Sequence, residues 1–332
     1  MSLTFEPEKN TKVDADAGLE AGLEPELLKF LYSVREYVSR EAGMNPTVFS
    51  LRAASSAARL HWSRSVPAPP AIATRDLQIG KTAMMARLYT VSDSSDKPLL
   101  VYLHGGGWMM LGLDTHDRLM RAYAFESGCN ILSLDYPLAP EVQFPDSLNS
   151  SSKVVEYVLT NSSQFAKNSG KVVLGGDSSG ANLAVSIFFQ LGKVAQKSVI
   201  GLLLNYGVFD SDLERNSYKK FASLPYLLIR ERMEFFWSNY CPEISQRTDP
   251  RAAPLRFDLK VLSLLPAVHM CIAAQDILVD ENRLFEQKLR DAGVDVSSHL
   301  YEDAAHGFLE AVHCSPLANK AVSNSAGWLK SL

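Results

Sequence analysis

Five consecutive residues, Gly176-Asp177-Ser178-Ser179-Gly180, spell G-x-S-x-G between an apolar run, Val172-Val173-Leu174, and a helical pattern through Val185 and Phe188. A serine at the centre of a sharp strand-to-helix turn lifts its hydroxyl above the sheet edge, and flanking glycines supply the small neighbours such a turn demands. The helix behind it offers unpaired N–H groups and a partial positive charge to a developing anion. That chemistry is nucleophilic attack on an acyl carbon, with Ser178 as the nucleophile. Ser179 is of the right type but lies off the centre of the glycine frame. Taken alone, the pentapeptide could equally be a glycine-serine connector.

Acyl transfer also needs donors for the oxyanion, a base and a residue to orient that base. Leu103-His104-Gly105-Gly106-Gly107-Trp108 follows another apolar run. Three glycines cost backbone entropy, so a structured site there implies close approach of the backbone to something. A loop of this kind can give one or two N–H donors, with a further donor from Ser179, the residue after the nucleophile. A phosphate-binding turn fits poorly, because neither G-x-G-x-x-G nor a terminal Gly-Lys-Ser/Thr is present.

Seven histidines compete for the role of base. His306, in Asp303-Ala304-Ala305-His306-Gly307-Phe308, follows the last apolar run, whereas His299 falls within that run and His313 inside the next helical pattern. The order nucleophile, acid, base along the chain puts the acid after the run Ala267-Ala273, where Asp276 is the first carboxylate. Asp280 and Glu281 open the following helix, and there they have a structural use against the helix dipole. Four signals in the required order weigh more than any of them singly.

These residues need a scaffold. Short apolar runs alternating with helical stretches from Ala71 onward predict an α/β fold: an open, mostly parallel sheet of eight strands with helices on both faces. The predicted strands are 76–79, 83–89, 99–103, 130–134, 172–175, 201–206, 267–273 and 297–301. Pro25 to Ala42 and Pro46 to Arg64 read as helices, and the stiff stretch 65–70, with three prolines, reads as a linker. The chain therefore divides into a helical segment, 1–70, and a catalytic domain, 71–332. Within the latter, 209–254 breaks the rhythm with aromatic residues, among them Tyr218, Tyr226, Phe236 and Trp237, and is expected to pack with the N-terminal helices over the carboxyl edge of the sheet.

The chain has 332 residues, 46% hydrophobic and 21% charged, with a formal net charge of -4 and no run of basic residues. No nucleic-acid partner is expected from this. The acidic lead from Thr4 to Glu24 is unlike a signal peptide, and no apolar stretch is long enough to span a bilayer. Four dispersed cysteines, Cys129, Cys241, Cys271 and Cys314, suggest reduced thiols. The expectation is a cytoplasmic enzyme without metal or organic cofactor and without membrane attachment. Its partner would be a small ester, and a homodimer is an assembly to consider.

The motifs together resemble the hormone-sensitive-lipase family of α/β-hydrolases, and within it the cytoplasmic bacterial acetyl esterases. The resemblance runs from about Arg75 to the C-terminus. It rests on His104-Gly105-Gly106-Gly107-Trp108, Leu113-Asp114-Thr115-His116-Asp117-Arg118, Asp135-Tyr136-Pro137-Leu138-Ala139-Pro140-Glu141, the serine pentapeptide, Asp276-Ile277-Leu278-Val279-Asp280-Glu281 and His306-Gly307-Phe308. It implies an α/β-hydrolase fold and a serine carboxylesterase for short acyl esters, working through an acyl-enzyme with the triad Ser178, His306 and Asp276. It further implies oxyanion donors at Gly105 and Gly106 besides Ser179, and a helical cap made from the N-terminal helices and 209–254. Trp108, Asp177 and Tyr206 are expected to line the substrate pocket. Pro137, Ser179 and Ile277 depart from the usual Arg, Ala and Pro of the family. An amidase, formamidase or carbamate hydrolase would use the same machinery, and a non-catalytic ligand receptor of this fold would usually lack a triad member.

Overall fold

A computed structural model describes residues 22–43, 46–92, 94, 96–167, 170–221 and 228–332. Most of the acidic lead, and Tyr226 of the aromatic stretch, lie outside the described residues.

Helix α1 (Pro25–Ala42) begins where the Glu24 side chain accepts from the Leu27 N–H, with Pro25 in the first turn, and it ends at Gly43 with φ 81°. Its buried stripe of Leu27, Leu28, Leu31, Val34 and Val38 packs against α2 (Val48–Ser65), which a reciprocal Thr47–Ser50 capping box starts.

The sheet follows, with β1 (Ala73–Gln78), β2 (Met85–Thr90), β3 (Leu99–Leu103), β4 (Ile131–Leu134), β5 (Val172–Asp177), β6 (Val199–Asn205), β7 (Ala267–Gln275) and β8 (Val296–Ala305). Their spatial order is β1-β2-β4-β3-β5-β6-β7-β8. The pairs β1/β2 and β2/β4 are antiparallel, and every other pair is parallel. Between the strands run α3 (Leu113–Ser127), α4 (Asp146–Thr160), α5 (Ser179–Gln190), α6 (Lys193–Gln196), α7 (Asn216–Lys220), α8 (Arg230–Tyr240), α9 (Leu259–Leu262) and α10 (Val279–Asp291), with α11 (Pro316–Ser331) closing the chain.

Strand order fixes where the site can be. From β3 the chain steps to β4 on one side; from β4 it crosses β3 to β5 and thereafter moves steadily the other way. Right-handed crossovers in opposite directions put their helices on opposite faces. Accordingly α3 pairs with α11, while α4 pairs with α5. Adjacent strands whose connections diverge leave a crevice at their carboxyl ends, here between β3 and β5. The glycine loop leaves β3 there, and Ser178 leaves β5. Both strands are buried on both faces, which accounts for their unbroken apolar runs.

The excursion after β6 is helical in pieces, α7 and α8 plus short 3-10 turns, as its broken rhythm suggests. Phe236, Trp237 and Tyr240 of α8 are buried and belong to the same apolar core as α1 and the sheet. His313 lies in a turn with φ 72° before α11 rather than inside a helix. Among the described residues no helix is long and apolar enough to cross a membrane. The four cysteines are free, three of them buried.

Candidate active site

Ser178 occupies the turn between β5 and α5 with φ 53° and ψ −120°, a conformation a non-glycine residue holds only when its surroundings impose it. The imposition is visible. Its N–H donates to the Asn205 carbonyl at 2.9 Å, and its carbonyl accepts from Val208 at 3.2 Å. A side chain at Gly180 would collide with the Leu103 carbonyl, so the turn can lie against β3 only with glycine there.

The hydroxyl meets the histidine. Ser178 Oγ lies 3.0 Å from His306 Nε2, and His306 Nδ1 lies 2.7 Å from Asp276 Oδ2. Asp276 is 2% exposed, and its second oxygen accepts from the Leu278 N–H at 3.0 Å. An ionised Asp276 can only accept, so Nδ1 carries the proton and Nε2 is left to accept from the serine hydroxyl. The ring of Tyr206 packs edge-on to His306 at 5.1 Å between centroids, which limits rotation of the imidazole.

The glycine loop requires a correction. Gly105 was expected to offer its N–H to the oxyanion, but that N–H donates to Asp177 Oδ1 at 2.9 Å, below the turn. Gly106 and Gly107 line the pocket instead, and Gly105 does not. Among the described residues, the N–H groups of Gly106, Gly107 and Ser179 make no backbone hydrogen bond outside the regular elements. Ser179 opens α5, where first-turn N–H groups have no partner within the helix.

Two pocket expectations are corrected as well. Trp108 is fully buried, stacked on Tyr240 at 4.2 Å and 3°, so it anchors the glycine loop to α8 rather than facing a substrate. Tyr206 is buried behind His306 and is not part of the pocket wall. Asp177 does border the pocket, but its carboxylate is turned to Gly105, Tyr102 and His116. Burial opposes its ionisation; the charge and hydrogen bond of His116, with the Tyr102 hydroxyl, nevertheless hold its carboxyl below the usual range.

The pocket above Ser178 encloses about 130 Å³. Its apolar walls come from Val34 and Val38 of α1, Leu51 of α2, Met110 and Leu111 after the glycine loop, and Phe236 of α8. Two ion pairs that sequence reasoning missed tie α2 to these loops. Arg59 pairs bidentately with Glu310, four residues beyond His306, with one of the two bonds at 3.0 Å. Arg52 donates to the carbonyls of Met109 and Ala139 and pairs with Glu141 at 2.8 Å. The loop carrying Pro137 thus receives a guanidinium from α2. Helical spacing in 48–65 places Arg52 and Arg59 seven residues apart, nearly on one face, which is the signal available in the sequence. Among the described residues no three His, Cys, Asp or Glu side chains gather to hold a metal.

Residues 100–310 match the family described as alpha/beta hydrolase fold. The chain is 31% identical over 257 residues to the carboxylesterase NlhH of Mycobacterium tuberculosis, covering 76% of this chain and 79% of that protein. It is 29% identical over 242 residues to an acetyl esterase of Salmonella schwarzengrund, covering 72% and 74%. Among solved structures, an esterase of Pyrobaculum calidifontis superimposes with a TM-score of 0.82 at 27% identity, over 93% of this chain and 98% of that one. A thermostable esterase of Pseudomonas putida gives a TM-score of 0.78 at 25% identity, over 90% and 96%. The chain belongs to the α/β-hydrolase family, on its hormone-sensitive-lipase-like branch.

Proposed function

We propose that the protein is a serine carboxylesterase that hydrolyses short-chain acyl esters. The observation that carries the reading is the continuous chain from Ser178 Oγ through both nitrogens of His306 to the buried Asp276 carboxylate. His306 Nε2 takes the serine proton as Oγ attacks the ester carbonyl, and Asp276 stabilises the resulting imidazolium. The carbonyl oxygen, now an anion, is met by the N–H groups of Gly106, Gly107 and Ser179. Collapse of the tetrahedral adduct breaks the bond to the alkoxy oxygen, which leaves as alcohol with the proton from His306. Water, deprotonated by the same nitrogen, then attacks the acyl-enzyme, and the acid departs as Ser178 is regenerated.

The pocket of about 130 Å³ favours short acyl chains, as do the relatives named acetyl esterase. A series of p-nitrophenyl esters from acetyl to palmitoyl, run beside the matching anilides, tests the reading together with labelling by diethyl p-nitrophenyl phosphate. Expected are fastest turnover between acetyl and hexanoyl, slower anilides, and phosphorylation at Ser178. Faster palmitoyl than butyryl hydrolysis, or a label on another residue, would refute it.

A further inference from the structure

Beneath the glycine loop lie two neighbouring buried histidines, His104 and His116, with ring centroids 5.5 Å apart. Their surroundings demand different protonation. His104 Nδ1 faces the Gly105 carbonyl at 2.7 Å, while its Nε2 has no hydrogen-bond partner, so one proton suffices. Burial, with His116 alongside, pushes the His104 pKa down to about 4.

His116 is placed otherwise. Its Nε2 lies 3.3 Å from Asp177 Oδ1. Its Nδ1 lies 3.1 Å from Thr115 Oγ1, a hydroxyl whose own proton goes to the Gly112 carbonyl at 2.8 Å. Both ring nitrogens therefore face acceptors, and only the doubly protonated ring satisfies both. Burial opposes a charge on this ring, but Asp177, by charge and hydrogen bond, and Glu310 favour the cation; Arg59 opposes it, and the balance raises the pKa from its ordinary value.

The Asp177 carboxylate has two consequences. It holds the glycine loop in place through the Gly105 N–H, and the next two residues, Gly106 and Gly107, line the pocket. It also puts a buried negative charge one residue from the nucleophile, where a second negative charge must develop during acyl transfer. In a low-dielectric interior that juxtaposition opposes the reaction unless a cation offsets it.

We propose that His116 is a positioning residue for the oxyanion loop: as an imidazolium it keeps Asp177 ionised on Gly105 and offsets that carboxylate's field where the oxyanion forms. The inference rests on reading Ser178 as an acyl-enzyme nucleophile.

Two measurements on the full chain test it. In ¹⁵N-histidine-labelled protein, with the His116 signals assigned by their loss in His116→Gln, both ring nitrogens should be protonated at pH 7.5. A neutral His116 ring at that pH overturns the proposal. This readout needs no turnover, so it stands whether or not the protein proves to be an esterase; a wild-type chain that neither hydrolyses p-nitrophenyl acetate nor reacts with the organophosphate sinks the esterase reading instead. In kinetics, His116→Gln should lower kcat about 10- to 100-fold with KM nearly unchanged, because the coupling acts on the transition state. Adding Asp177→Asn, whose amide oxygen can still accept from Gly105, should restore kcat several-fold over His116→Gln alone. Losses that simply multiply in the double variant would mean that His116 serves packing only, and would overturn the proposal.

Discussion

The Arg59 guanidinium on α2 grips both oxygens of Glu310, 251 residues away in sequence and four residues past His306. The pair joins the N-terminal helices to the loop that holds His306, and both side chains are largely shielded, at 13% and 9% exposure. Removing one partner leaves the other charge buried and uncompensated, a cost of about 3–5 kcal/mol. We predict that Glu310→Gln lowers Tm by several degrees and raises KM, since α2 forms part of the pocket wall. Replacing both residues with leucine should recover most of the stability. Unchanged melting of Glu310→Gln in calorimetry would show that water already shares the pair.

Ser178→Ala should reduce ester hydrolysis by about 10⁴-fold or more, because the other two groups act only through the serine oxygen. Its strained backbone is held by Asn205 and Val208 and not by the hydroxyl, so the melting temperature should stay close to wild type or rise slightly. Circular dichroism and turnover on the same preparation check both halves. Substantial residual turnover would exclude Ser178 as the nucleophile.

The parts legible in the sequence are those set by local pattern. The β3 bounds 99–103 and the α1 bounds 25–42 emerge as expected, because a buried parallel strand and a capped amphipathic helix each carry their own signature. Ser178, Asp276 and His306 could be singled out because each follows a strand that can be found independently, and the structure brings the three side chains together. What stayed hidden depends on which way a group turns. A run of three glycines does not say which N–H faces the pocket; Asp177, on the neighbouring strand, takes the one from Gly105. Trp108 read as a pocket residue because it adjoins the glycines, yet its φ of 59° carries it under α8 onto Tyr240. His116 stood in the sequence as one histidine of the motif 113–118, whose spacing says nothing of its charge; the structure buries it on α3 with Leu119, Met120 and Tyr123.

His269 on β7 is buried against Trp328, with Nε2 unpartnered, and burial, then nearby His299, pushes its pKa down to about 4. Its folded value thus lies below the unfolded one of about 6.5. Between those values the unfolded chain binds a proton that the folded chain does not, so stability contributed by His269 is present above about pH 6.5 and is lost as pH falls toward 4. The contribution to the slope is at most about 1.4 kcal/mol per pH unit. His269→Phe, far from the pocket, should flatten the acid limb of stability measured by urea unfolding at pH 4.5 and 7 while leaving turnover intact. An equally steep limb in the variant would assign the acid sensitivity to other groups, such as His104.

Two carboxylates stand close to the end of β7, and their surroundings separate their roles. Asp276 spends one oxygen on His306 Nδ1 and the other on the Leu278 N–H. Asp280 lies in the first turn of α10 and accepts from the Ser217 N–H at 2.8 Å, joining α10 to α7. Asp276→Asn keeps the size but can present an N–H to Nδ1, which favours the tautomer with its proton on Nε2, where the serine proton must be received. The expected loss in kcat is about 10⁴-fold, as for other triads of this type. Asp280→Asn retains an oxygen for Ser217 and forfeits only the charge at a helix N-terminus, about 0.3–1 kcal/mol of stability. Kinetics and thermal melting of both variants distinguish lost chemistry from a folding defect. If Asp280→Asn suffers the large kinetic loss while Asp276→Asn turns over normally, then the buried carboxylate beside His306 has no part in the reaction, and the 2.7 Å contact is structural alone.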